Sequence, residues 1–169
     1  MKLLFLLFIT TFSFSFELKY KTFSADFNQS VESNKKVINY TGKVFVKNSL
    51  IFWDYKTPIE KKIWVTNFNK IYIYEADLEQ VTIYKNSSSK DFFQLLTTAT
   101  QIEDNLYKKK FDKKEIFFKT QNGMVEKIYY KDKIDNLVTL NFKNIEKKEF
   151  NNSLFLPSFP KDVDIIYAK

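Results

Sequence analysis

The chain has 169 residues, a formal charge of +7, no cysteine and no histidine, and all 27 of its basic residues are lysine. That length suits one core, while the composition excludes disulfides, the usual zinc ligands, the usual general base for a serine or cysteine nucleophile, and the bidentate guanidinium fork. The lysines are spread along the chain and interleaved with acids, as in "YYKDKIDN" and "FKNIEKKEF", which describes a solvated surface and argues against nucleic acid; a mild positive excess is better suited to anionic membrane surfaces.

In chain order, "MKLLFLLFITTFSFS" has a lysine, an apolar run from Leu3 to Ile9, and then small polar residues. The run is too short to span a bilayer and has the form of a secretory signal peptide. Residues 1–15 are therefore expected to be removed, leaving 16–169 as a single exported domain. Without cysteine there is no lipid-modified anchor at the cleavage site.

Most of the remainder alternates with period two and is rich in Tyr, Phe, Ile, Val and Thr, residues that suit a pleated, half-buried surface. The alternation predicts strands over Phe23–Ser33, Lys36–Lys47, Ile51–Lys56, Lys61–Asn67, Lys70–Glu75, Gln80–Lys85, Tyr107–Phe111, Glu115–Thr120, Val125–Lys131, Leu137–Phe142, Lys147–Phe150 and Val163–Tyr167, separated by turn residues such as "TPIE" and "QNG". One segment departs from it. "SSSKDFFQLLTTATQIEDN", residues Ser87–Asn105, offers a serine N-cap and places Phe92, Leu95, Leu96 and Ala99 at helical spacing. Short helices are predicted there, either plugging one end of the sheet or covering it as a lid. The fold class is thus mainly β with short α, a large curved antiparallel sheet or barrel.

Parity sorts the faces. Val44 and Val46, then Ile51, Trp53 and Tyr55, then Ile63 and Val65, then Ile71 and Ile73 each share one side of a strand, the apolar one. The other side carries Lys43, Lys47, Asp54, Lys56, Lys62 and Thr66, with Phe45, Trp64, Tyr72 and Tyr74 among them, so it is polar yet unusually aromatic, and Asp54 and Lys56 are expected in solvent. A barrel of this size can be filled by its own side chains or left open for a ligand, and the residues leave both possible. An open interior without convergent His, Arg or carboxylates suits an acyl chain better than a polar metabolite.

The blocks "FSADFNQSV", "YTGKVFVK", "IFWDYKTP", "IYIYEADLEQVTIY" and "LFLPSFPKDVDII", in this order and spacing, resemble the LolA family of periplasmic outer-membrane lipoprotein carriers. The resemblance implies an unclosed β-barrel of about eleven strands with a helical lid over an apolar cavity. It implies a chaperone in the periplasm that accepts lipoproteins released by the inner-membrane LolCDE transporter, shields their acyl chains, and delivers them to an outer-membrane acceptor of the LolB kind. No cofactor, no metal and no enzymatic step are implied, and the chain is expected to be a monomer. The cavity residues would be Val44, Val46, Ile51, Trp53, Tyr55, Ile63, Val65, Ile71 and Ile73, and the lid residues Phe92, Leu95, Leu96 and Ala99. Removing acyl methylenes from water is worth about 0.8 kcal/mol each.

Two departures from the family pattern stand out. The arginine and proline that follow the second strand in the family, where the arginine holds the lid, are absent; Asn48 and Ser49 occupy that place, with Asn48 or Lys47 as the available substitutes. The first amphipathic helix is reduced to "FELKYKT", room for one or two turns. Three alternatives remain: the related acceptor, which is anchored through a cysteine this chain lacks; a LolA-like lipid-binding sensor or scaffold module acting on a membrane regulatory partner; and an enzyme built on Asp54, Glu75, Asp77 and Glu79, of which the last three surround a turn where acids are ordinarily solvated.

Overall fold

The computed structural model describes residues 18–34, 36–67, 70–85, 98–111 and 113–168. They form one twelve-stranded sheet: β1 (Thr22–Ser33), β2 (Lys36–Lys47), β3 (Leu50–Thr57), β4 (Lys61–Thr66), β5 (Lys70–Glu75), β6 (Gln80–Lys85), β7 (Thr100–Glu103), β8 (Leu106–Phe111), β9 (Lys114–Gln121), β10 (Met124–Lys131), β11 (Leu137–Lys147) and β12 (Asp164–Ala168). The spatial order is β12-β6-β5-β4-β3-β2-β1-β11-β10-β9-β8-β7, so β12 and β7 are the two edges and the barrel is unclosed. All neighbours are antiparallel except β12, which returns to lie parallel to β6.

β1 is the hinge between two meanders. It pairs with β2 along its whole length and, on its other edge, with β11, from Phe23 opposite Lys147 to Glu32 opposite Leu137. Local turn chemistry fixes the meanders on either side. Asn48 and Ser49 make a two-residue hairpin between β2 and β3 with Asn48 at φ 54°, and Asn122 and Gly123 do the same between β9 and β10 at φ 52° and 76°. Both positions need the left-handed conformation that Asn and Gly adopt most readily. The β10–β11 turn is organised by the Asp132 carboxylate, which accepts from the amides of Ile134 and Asn136.

The sheet curls. The rings of Trp53 in β3 and Phe142 in β11 lie 6.1 Å apart, although three strand spacings separate their backbones, about 14 Å on a flat sheet. The side chains turned inward by this curl form the main core, including Phe23, Phe27, Val44, Ile51, Phe118, Ile128 and Phe142. Gly42 lets the curl tighten. A Cβ there would stand 2.8 Å from the Phe27 ring and collide with the Asp54 carbonyl, closer than any packed carbon tolerates.

Several expectations change. Residues 86–97, with Phe92, Leu95 and Leu96, lie outside the described residues, but the end of the predicted helical segment is the edge strand β7. Residues 18–21 are not helical: the Lys19 amide donates to the Gly123 carbonyl at 2.8 Å, which ties the segment to the β9–β10 hairpin. The separate strand over Lys147–Phe150 does not exist. β11 runs on to Lys147, and residues 148–163 then leave the end of that strand and cross the outer face of the sheet.

That crossing explains the aromatic outer face. Phe45 stacks on Phe52 and Phe52 on Trp64, and a 3₁₀ turn, Asn152–Phe155, seats Phe155 over them with only 2% of its surface exposed. The Lys47 ammonium fixes the strap, donating at 2.8 Å to both the Phe150 carbonyl and Asn152 Oδ1. Asp54, expected in solvent, is mostly covered: Oδ2 pairs with Lys56 at 3.0 Å, while Oδ1 is buried without a partner among the described residues. Lys56 itself is exposed.

Candidate functional site

The inner face of β2–β5 is built by register. Ala25, Val44, Trp53, Ile63 and Ile73 are successive cross-strand partners from β1 to β5, and Phe23, Val46, Ile51, Val65 and Ile71 make the next row. Directly opposed residues share a face, so all nine residues assigned to an apolar lining stand on the same side. Their burial differs. Val44, Val46, Ile51 and Tyr55 are sealed into the core, Trp53, Ile63 and Val65 are half-buried against it, and Ile71 and Ile73 are half-buried beyond it. The wall therefore grades from packed at β2 to open at β5. Of the four residues assigned to a lid, Ala99 is described, and it is buried in the same core.

Asn48 occupies the hairpin tip, its amide donating to the Lys21 carbonyl at 2.8 Å. Lys47, the other substitute for the missing arginine, points to the outer face and is committed to the strap. It is thus unavailable to anything over the inner face.

Parity in β2–β5 did not extend to the residues that complete the inner face: Phe23, Ala25 and Phe27 from β1, and Ile116, Phe118, Ile128, Val138, Leu140 and Phe142 from β9–β11. The signal was present, because "FSADF" and "VTLNF" alternate in the same way. Only the β1–β11 pairing reveals that these strands share the wall.

One end of the wall is polar. The Tyr55 hydroxyl donates to Gln29 Oε1 at 2.8 Å, and burial, with the neighbouring Tyr130 and Tyr40 phenols, pushes its pKa far up, so it remains a donor. The Lys61 ammonium lies 4.9 Å from the Tyr55 ring centroid and 5.9 Å from that of Tyr40, within cation–π range of both. Among the described residues no group of three or more His, Cys, Asp or Glu could hold a metal, and no helix is long and apolar enough to cross a membrane.

A curled, unclosed sheet with an apolar inner wall, packed along one arm and open along the other, defines a β-barrel whose distinctive surface is hydrophobic. The sequence model of the family described as "Outer membrane lipoprotein carrier protein LolA" matches residues 18–108, more than half of the chain. An outer-membrane lipoprotein carrier protein of Campylobacter jejuni is 30% identical over 154 residues, 90% of each chain. One of Wolinella succinogenes is 32% identical over 154 residues, 86% of each. A crystal structure of an uncharacterized conserved protein from Thermus thermophilus shares the fold at a TM-score of 0.55 and 9% identity, covering 89% of this chain and 92% of that one. The chain belongs to the LolA family.

Proposed function

We propose that this protein is a periplasmic carrier that takes lipoproteins released from the inner membrane, shields their acyl chains against the inner wall of the sheet, and delivers them to the outer membrane. The observation that carries this is the half-buried row Trp53, Ile63 and Ile73, apolar surface on the inside of a curled sheet that the chain's own core leaves incompletely covered. Acyl methylenes laid on such a wall gain about 0.8 kcal/mol each, so a chain of about 14 carbons contributes on the order of 10 kcal/mol before ordering costs. Hydrophobic transfer needs no covalent chemistry and no cofactor.

The expected donor is an inner-membrane transporter of the LolCDE kind, and the expected acceptor a LolB-like protein or its equivalent. Tagged lipoproteins in inner-membrane vesicles containing the cognate transporter should be released into the soluble fraction by the purified protein and ATP, in a one-to-one complex with it. Retention of all lipoprotein in the vesicles would refute the carrier reading. Gentle purification from the native periplasm followed by mass spectrometry should find acylated lipoprotein bound.

A further inference from the structure

Lys61 stands out on the inner face because it is a cation at the end of an apolar wall. It is the first residue of β4, opposite Tyr55 of β3 and Glu75 of β5. Despite that register it forms no ion pair among the described residues; its ammonium rests over the Tyr55 and Tyr40 rings instead. Two residues further along the same face, Ile63 faces Trp53 and Ile73, the open part of the wall.

An ammonium that rests on ring faces and forms no ion pair among the described residues is only partly compensated, and an anion brought to it would restore what water supplied. The surrounding groups suit a small oxyanion. The half-buried Tyr40 stands beside the ammonium, its ring centroid 5.9 Å away. A recess of about 390 Å³ at this end is lined mainly from the opposite face and the strap, by Asp54, Lys62, Tyr74 and Phe159, and is no part of the inner wall; Asp54 pairs on that face with Lys56 at 3.0 Å.

An acyl group joined to a lipoprotein ends in a neutral carbonyl, whereas a free fatty acid ends in a carboxylate. We propose that the inner wall has a second ligand class, free long-chain fatty acids, bound with the chain along Trp53, Ile63 and Ile73 and the carboxylate on the Lys61 ammonium. The inference rests on the reading of this wall as an acyl-binding surface and adds a headgroup position to it. Lys61 is then the residue that discriminates anionic from uncharged single-chain lipids.

The test compares hexadecanoate with hexadecanol, two ligands of one chain length and different head charge, titrated at pH 8 into the full mature chain and its Lys61→Met and Lys61→Arg variants. Displacement of a fluorescent acyl probe reads both affinities. The acid should bind at least tenfold more tightly than the alcohol, Lys61→Met should erase that preference while leaving alcohol affinity unchanged, and Lys61→Arg should keep it. Equal binding of acid and alcohol by the unaltered protein, or a preference that survives Lys61→Met, overturns the headgroup assignment and leaves the acyl wall standing. Binding of neither ligand overturns both, and unchanged alcohol affinity in Lys61→Met shows that the variant is folded.

Discussion

The two arms of the inner face carry the same alternation of apolar residues and come out differently. In β9–β11, Phe118 and Ile128 are wholly buried and Ile116, Val138, Leu140 and Phe142 nearly so. In β3–β5, Trp53, Ile63, Val65, Ile71 and Ile73 keep part of their surface open. Composition does not separate the arms; what they face does. The β9–β11 side chains meet those of β1 inside the curl, whereas the wall thins toward β5, at the far end from that crowding. An alternating strand announces a buried face, and the rest of the sheet decides whether that face becomes core or working surface.

The largest effect that should separate the arms is on stability. Phe118→Ala, in the filled arm, is expected to cost about 3–5 kcal/mol in urea unfolding, with little independent effect on ligand affinity once the variant is folded. Gly42→Ala should cost roughly 1–3 kcal/mol, because the new Cβ collides with the Phe27 ring and the Asp54 carbonyl where the sheet curls. Trp53→Ala inverts the pattern: roughly 1–2 kcal/mol of stability but at least a tenfold loss of acyl-probe affinity. If Phe118→Ala and Trp53→Ala lose stability and binding in the same proportion, the division of the wall is wrong.

Smaller effects probe the outer face. Lys47→Met removes both bonds to the strap and should cost about 1 kcal/mol, read as faster hydrogen exchange at the Leu154 and Leu156 amides. The least is electrostatic. The Asn144 side chain, together with Lys43, holds the Asp26 carboxyl below its ordinary value of 3.8. Its contribution is therefore present above pH 3.8 and lost as pH falls through the lower folded value. Asp26→Asn should lower stability slightly at neutral pH and leave it almost unchanged below the folded value, so that the acid limb of the stability profile is flatter.

Much of this was legible in the chain. Alternation placed most strands within a residue or two, since long period-two runs leave little freedom of register, and Asn-Gly marked its hairpin outright. The misses have physical causes. β7 escaped because Ile102 is its only apolar residue and the helical spacing before it dominated the window. Phe150 looked like a strand residue because it follows an alternating run, when it begins the strap and is turned against Phe45. The one legible anomaly was the excess of rings on the outer face at Phe45, Phe52, Trp64, Tyr72 and Tyr74. Solvated faces have no use for five rings, and a covering segment is the ordinary remedy. The open stretch of the inner wall was not legible, since burial depends on strands a hundred residues away.

The chain contains two tryptophans, and they sit back to back on neighbouring strands. Trp64 is buried under the strap at 3% exposure, stacked on Phe52, while Trp53 lies on the open wall against Phe27 and Phe142. The molecule thereby has a reporter and an internal standard in its own emission. Acrylamide should quench Trp53 and spare Trp64, and the entry of a ligand onto the inner wall should shield the first signal without moving the second.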